Sequence, residues 1–187
     1  MNSAHIAHAL TRFNGPFPYR RYLCVENISW GLLPWEADLV AMSGGSDYLT
    51  EIEIKISHAD LKADFEKHKW KLWPTHHLIR RFYYAVTEDV HRLAHKAGTW
   101  DRTPPHAGII VAARVNYPDD STLLDIVRCE VLRPAKVNSG ARPLSPHEKY
   151  ELARLGVMRY WTRQHPGEVT DDNRLPDADE SHMERAA

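Results

Sequence analysis

Residues 35 to 56 contain two segments of period two, WEADLVAM (35–42) and YLTEIEIKI (48–56), joined by a short link with two glycines. Successive side chains on a strand point to opposite faces. Ile52, Ile54 and Ile56 therefore share one face and enter a core, while Glu51, Glu53 and Lys55 share the other. In the first segment Glu36 and Asp38 oppose Ala37, Leu39 and Ala41. Glycine admits the positive φ of a tight turn, so the pair predicts an antiparallel hairpin. Such a hairpin brings Asp38 near Glu53, with Lys55 one step along. The same alternation also describes a strand whose charged face is simply in water.

The flanking sequence completes an α/β pattern. Residues 4–13 predict a helix that buries Ile6, Leu10 and Phe13 and is broken by NGPFP. YLCVENISW (22–30) reads as a strand before the hairpin. After the hairpin, Ser57 is an N-cap with Asp60 three residues on. Leu61, Phe65, His68 and Leu72 recur at helical spacing up to Pro74, which predicts one helix packed on the sheet. FYYAVT, AGIIVAARV and the run from Leu123 to Val137 supply further strands, and DVHRLAHKA a short helix stopped by Gly98. The last helix starts at a second capping box, Ser145 to Glu148, with Pro146 in its first position. Its apolar stripe reads Leu152, Gly156, Val157, Tyr160 and Trp161. The order predicts a single α/β domain, a central mixed sheet flanked by helices, over residues 1–165.

Residues 166–187 hold seven acidic and two basic side chains and few apolar ones, the composition of a disordered tail. Without that tail the chain carries 22 basic and 18 acidic residues, a net charge of +4 that removes any objection to an anionic partner. Cys24 and Cys129 lie far apart, with neither a disulfide framework nor zinc-ligand spacing. No apolar run is long enough to cross a bilayer, and the N-terminus has no signal-peptide pattern, so the expected compartment is the cytoplasm.

The chemistry concentrates in the hairpin. Two carboxylates held together repel, and a divalent cation between them relieves the repulsion. Mg²⁺ takes oxygen ligands at about 2.1 Å and keeps several waters. Beside it, Lys55 would orient or activate water, or stabilise charge developing on a phosphate. Asp38 followed by Glu53-Ile54-Lys55 resembles the PD-(D/E)XK nuclease superfamily. EIKISHADLKADFEKHKW is more similar to the MmcB-like DNA-repair proteins, which join an E-x-K-x-S strand end to a DxxxDxK helix; here Ser57, Asp60, Asp64 and Lys67 match. RRFYYAV, AGIIVA and VLRPAKV extend the likeness to roughly residues 4–160. Ala37 stands where the superfamily has its proline.

The resemblance implies a restriction-endonuclease-like core and hydrolysis of DNA phosphodiester bonds in repair or processing. Asp38 and Glu53 would hold Mg²⁺, with Mn²⁺ as a substitute, and Lys55 and Glu26 would join them in catalysis. Glu36 and Glu51 read as solvent-facing charges or as groups supporting the site. Asp64 and Lys67 also read as a surface pair, and Asp60 as a cap.

Lys62, Lys67, Lys69, Lys71, Arg80 and Arg81 are the candidate DNA-phosphate contacts, interleaved with Trp70 and Trp73 and interrupted by acids. No spacing indicates base-specific readout. Enzymes that cut both strands are commonly homodimers, but the sequence specifies no interface. The alternative is a DNA-binding or repair-accessory protein on the same fold that does not cut; a third reading is an interaction protein whose charged strand is merely solvated.

Overall fold

In a computed structural model, residues 1–28, 31–67, 69–72, 77–115 and 126–164 are described. His68, Trp73, Pro74 and the acidic tail of 166–187 lie outside them. Six strands form one sheet in chain order: β1 (Tyr22–Ile28), β2 (Ala37–Ser43), β3 (Leu49–Lys55), β4 (Ile79–Thr87), β5 (Gly108–Val115) and β6 (Ile126–Arg133). β1, β2 and β3 are antiparallel neighbours, as short links allow. The chain then returns through α2 (His58–Asp64) and α3 (Lys69–Leu72), which makes β3 and β4 parallel. α4 (Glu88–Lys96) makes the second parallel crossover, from β4 to β5, and β6 returns antiparallel. The sheet is mixed and, among the described residues, open at β1 and β6.

Two apolar layers hold it. α1 (Ser3–Thr11) sets Ile6 and Leu10 against Leu39, Ala41, Ile52, Ile54, Tyr83 and Ala85. On the other face, Leu61 of α2, Val90 and Ala94 of α4 and Leu152 of α5 (Pro146–Gln164) cover Val25, Val40, Phe82, Tyr84 and Val86. Gly108 is required where β5 passes β4: a Cβ there would lie 2.3 Å from the Tyr83 ring and 2.7 Å from the Ala135 nitrogen. Asn2, Ser57 and Thr87 cap α1, α2 and α4 through their side chains. At α5 the Ser145 nitrogen donates to Glu148 Oε2 at 2.8 Å, and the Glu148 nitrogen to Ser145 Oγ at 3.3 Å.

Three local expectations need correction. Phe13 is exposed because α1 ends at Thr11 and the chain turns, and Phe17 takes the buried place instead. Ile56 is exposed because it lies one residue beyond β3. On α5, Leu152 is buried, but Val157, Tyr160 and Trp161 are exposed. Gly156 lies against β1, where a Cβ would be 3.2 Å from Val25 Cγ2. Beyond it the helix meets β1 through polar contacts, with Arg159 donating to the Asn27 carbonyl at 2.8 Å.

The helix expected from Ser57 to Pro74 is broken. α2 ends at Asp64, and the amides of Phe65, Glu66 and Lys67 each donate three residues back instead of four. The Asp64 carbonyl also accepts from Trp70 Nε1 at 2.7 Å. In a continuous helix, residues five apart point about 140° away from each other. The break lets Asp64 and Lys69 meet.

Candidate active site

The strand pairing places four charged side chains as the alternation requires. Leu39 pairs with Ile52 and Val40 with Glu51, so Asp38 falls beside Glu53 at the next step. Lys55 Nζ lies 2.6 Å from Glu53 Oε2 and 3.6 Å from Asp38 Oδ2. One ammonium thus touches both hairpin carboxylates. The Ile54 amide donates to Asp38 Oδ2 at 2.8 Å and fixes that carboxylate across the strand pair.

The charged face is not in water. Glu51, Glu53 and Lys55 are all buried, as are Asp64 and Lys69. Asp64 leaves the surface role expected of it: Tyr84 Oη donates to its Oδ2 at 2.8 Å, and Lys55 lies 3.3 Å from its Oδ1. Glu51 is likewise interior, accepting from Trp35 Nε1 at 3.1 and 3.2 Å. Lys69 leaves the DNA-contacting set, because its Nζ is 2.7 Å from Glu53 Oε1 and shielded from solvent. Lys67 stands at the rim, half-exposed, 2.8 Å from Asp64 and 3.9 Å from Glu53.

Burial alone would push these carboxyls up and the ammoniums down. The pairing reverses that for most of them. Despite burial, Lys69 and Lys55 hold the Glu53 carboxyl below its ordinary range, and the same lysines do so for Asp64. Lys55 and Lys69 are both pushed up against burial, Lys55 chiefly by Glu53 and Asp64, Lys69 chiefly by Glu51 and Glu53. Glu51 is the exception: burial, only partly opposed by Lys69, raises it to about 8. Burial and then the Glu53 charge raise Asp38, against the pull of Lys55.

Asp38 is partly exposed, with 36% of its side chain in solvent. It lines a cavity of about 150 Å³ together with Glu26, Asn27, Ile54 and Arg163. Glu26 pairs with Leu39 and so belongs to the α1 face of the sheet, where Arg163 of α5 holds it in an ion pair. It shares the cavity with Asp38 but does not join the contacts of Glu53 and Lys55. Asn27, between the last two β1–β2 pairs, has φ 50°, a left-handed conformation that asparagine tolerates.

The remaining basic residues separate. Lys62 is exposed on α2. The side chain of Lys71 lies outside the described residues. Arg81 pairs with Thr50, five residues before Lys55, and is therefore about 16 Å away along the strand. Arg80 stacks over the Tyr48 ring, 3.8 Å from its centroid. These two arginines lie at the opposite end of β3 from Lys55, so the six cations do not form one track.

Among the described residues, no three His, Cys, Asp or Glu side chains are grouped to hold a metal ion. Mg²⁺ needs fewer, since one or two carboxylates with water and substrate phosphate suffice. Asp38 and Glu53 supply donors of that kind. Glu53 Oε1 and Asp64 Oδ1 are buried and accept no well-formed hydrogen bond, although lysines lie close to both. The donor set therefore fits the ion in kind.

Glu51 takes the supporting place that was one of its two expected roles, whereas the burial of Asp64 and Lys69 in the same centre, and the parts of Tyr84 and Trp35, carry no signal in the local pattern. Alternation did place Glu51 on the correct face. Nothing in the local pattern marked Lys69.

No protein-family model matches this chain, and no curated protein does. Among solved structures, a protein of unknown function from Silicibacter pomeroyi is similar, with 17% identity and a TM-score of 0.50 over 82% of this chain and 87% of that one. At that identity the likeness shows the fold alone: a single α/β domain with a six-stranded mixed sheet flanked by helices.

Proposed function

We propose that the chain hydrolyses DNA phosphodiester bonds, in repair or processing, at a centre made by Asp38, Glu53 and Lys55. The observation that carries this reading is the single Lys55 ammonium in contact with carboxylates from two adjacent strands, one of which, Asp38, is partly exposed. The PD-(D/E)XK and MmcB-like resemblance supports it. The antiparallel β1–β2–β3 unit followed by a helix and the parallel β4 suits a restriction-endonuclease-like core.

Asp38 and Glu53 would hold Mg²⁺, which when bound supplies charge neutralisation at the phosphate and a more acidic water. Glu53, Asp64 and Asp38 all favour the charged form of Lys55 over the opposing effect of burial. It therefore stabilises negative charge developing on the phosphoryl oxygens rather than taking a proton from water. Water attacks phosphorus and releases a proton to solvent, one P–O bond breaks, and the leaving oxygen takes up a proton from solvent. Lys67, exposed at the rim of the centre, and Lys62, exposed on α2, meet the phosphate backbone.

A second reading, DNA binding without cleavage, draws on a specific observation: Glu53 is only 1% exposed and already paired with Lys55 and Lys69. Incubating the protein with supercoiled, nicked, flapped and single-stranded DNA, with Mg²⁺, Mn²⁺ or a chelator, separates the two. Metal-dependent cleavage is expected. Binding with no cleavage of any form would move the assignment to the second reading.

A further inference from the structure

α5 has two opposite faces of the same spacing. Leu152 is buried, Gly156 lies against Val25, Arg159 donates to the Asn27 carbonyl and Arg163 pairs with Glu26. These positions, 4, 3 and 4 residues apart, make the face turned to the sheet. Tyr150, Arg154, Val157 and Trp161 repeat that spacing. Trp161 is nine residues from Leu152 and so stands about 180° round the helix from it. Met158 is beside this outer row, its sulfur 3.0 Å from Arg154 Nη1.

The outer row is in solvent: Tyr150 is 64% exposed, Val157 56%, Met158 46% and Trp161 56%. From Val157 to Gln164 every residue of the helix is exposed. An apolar stripe on a surface helix ordinarily faces the core. A second one on the far side marks a surface that another element covers, and the 4-3-4 spacing is that by which two helices interlock at about 20°. The row is also its own complement. Set antiparallel to a second copy, about a two-fold axis between Leu155 and Gly156, Tyr150 of one copy falls opposite Trp161 of the other and Arg154 opposite Val157. The two rings pack together, and the Arg154 stem covers the valine while its head keeps Glu151. Charge selects the direction. The carboxylates of α5, Glu148 and Glu151, lie in its first half, where Lys149 is tied to Asp47, and its last two turns carry Arg159 and Arg163 and no acid. Parallel pairing would set the two basic halves and like dipole ends side by side; antiparallel pairing sets unlike ones together.

We propose that α5 pairs antiparallel with α5 of a second copy through Tyr150, Arg154, Val157, Met158 and Trp161, and that the protein is a reversible homodimer. Two half-exposed aromatic side chains with Val157 and Met158 bury on the order of 500 Å² per copy. That is the low end for a specific interface, so the dimer dissociates on dilution. The inner face of the same helix lines the cavity beside Asp38 through Arg163. Pairing therefore brings two such cavities into one assembly, each behind its own α5.

Sedimentation equilibrium of the full chain over a concentration series reads the association. Wild type is expected to pass from monomer to dimer between about 1 μM and about 0.5 mM. Val157→Glu should weaken the dimer about tenfold or more at an unchanged thermal midpoint, since the valine is exposed in the single chain. Should that variant melt lower, Met158→Lys, also exposed, takes its place with the same expectation. Wild type that stays monomeric throughout overturns the proposal, whether residues 165–187 of the same chain or a different protein cover the face. So does a variant that associates as wild type does, which puts the interface elsewhere. The direction is read by oxidising an equimolar mixture of His147→Cys and Gln164→Cys chains, two exposed positions symmetric about the axis. The mixed disulfide is expected, with neither variant linking to itself and wild type as the control for Cys24 and Cys129. Self-linking of either variant contradicts the antiparallel pairing.

Discussion

Glu51 shows how one buried carboxyl sets the pH response of the fold. Burial raises its pKa from 4.5 in the ordinary state to about 8. A group raised on folding contributes stability that is fully present below its unfolded pKa and is lost as pH rises through its folded pKa. Folding stability should therefore fall between about pH 4.5 and about pH 8 on account of Glu51, by on the order of a few kcal/mol. Glu51→Gln should flatten that limb in urea unfolding measured at pH 5, 7 and 9; an unchanged slope would count against a protonated Glu51. Glu53 and Asp64 act in the opposite sense, since their depressed values contribute stability that is lost as pH falls through the acid range. Tyr84 is the neutral prop of this group. Tyr84→Phe removes the hydroxyl that donates to Asp64 Oδ2 and should cost about 1–3 kcal/mol, read as a lower urea midpoint at constant m. The shared face of Glu51, Glu53 and Lys55 was legible from period two alone. Their burial was not, because alternation says which side chains point together and not what covers them.

Among the elements, the hairpin was legible and the helix after it was not. Apolar alternation and two glycines specify β2 and β3, and the observed register puts Asp38 beside Glu53 as that pattern requires. Residues 57–72 contain neither glycine nor proline, so nothing local signals the break after Asp64. Tertiary contacts make it: Asp64 is drawn to Tyr84 and Lys55, Lys69 to Glu53, and Trp70 to the Asp64 carbonyl. A basic residue that looks like a phosphate contact on a continuous helix becomes interior once the helix is broken. The β4–β5 pair depends on a close approach instead. Gly108→Ala would force a methyl to within 2.3 Å of the Tyr83 ring. Expected is a loss of about 1–3 kcal/mol in chemical unfolding, through overpacking. A neutral substitution there would show that β4 and β5 can part more easily than their packing implies.

Across the whole molecule, two apolar layers clamp one mixed sheet, and the charged centre is set into the face that α2, α4 and α5 cover. That placement explains why four carboxylates and three lysines stay together. Their strands and helices are anchored by hydrophobic packing, and Asp38, partly exposed, lines a cavity with residues of α1 and β1. Among the described residues, no helix is long and apolar enough to cross a membrane. Substitution at Asp38 should leave the fold intact, because its side chain is partly exposed and the Ile54 amide can still be accepted by an asparagine oxygen. The most direct measurement is therefore cleavage of plasmid DNA with Mg²⁺ by wild type and Asp38→Asn of matched thermal stability. Expected are metal-dependent cleavage by wild type and a loss of about 10²-fold or more in the variant. Cleavage at equal rates by both proteins would contradict the role of Asp38.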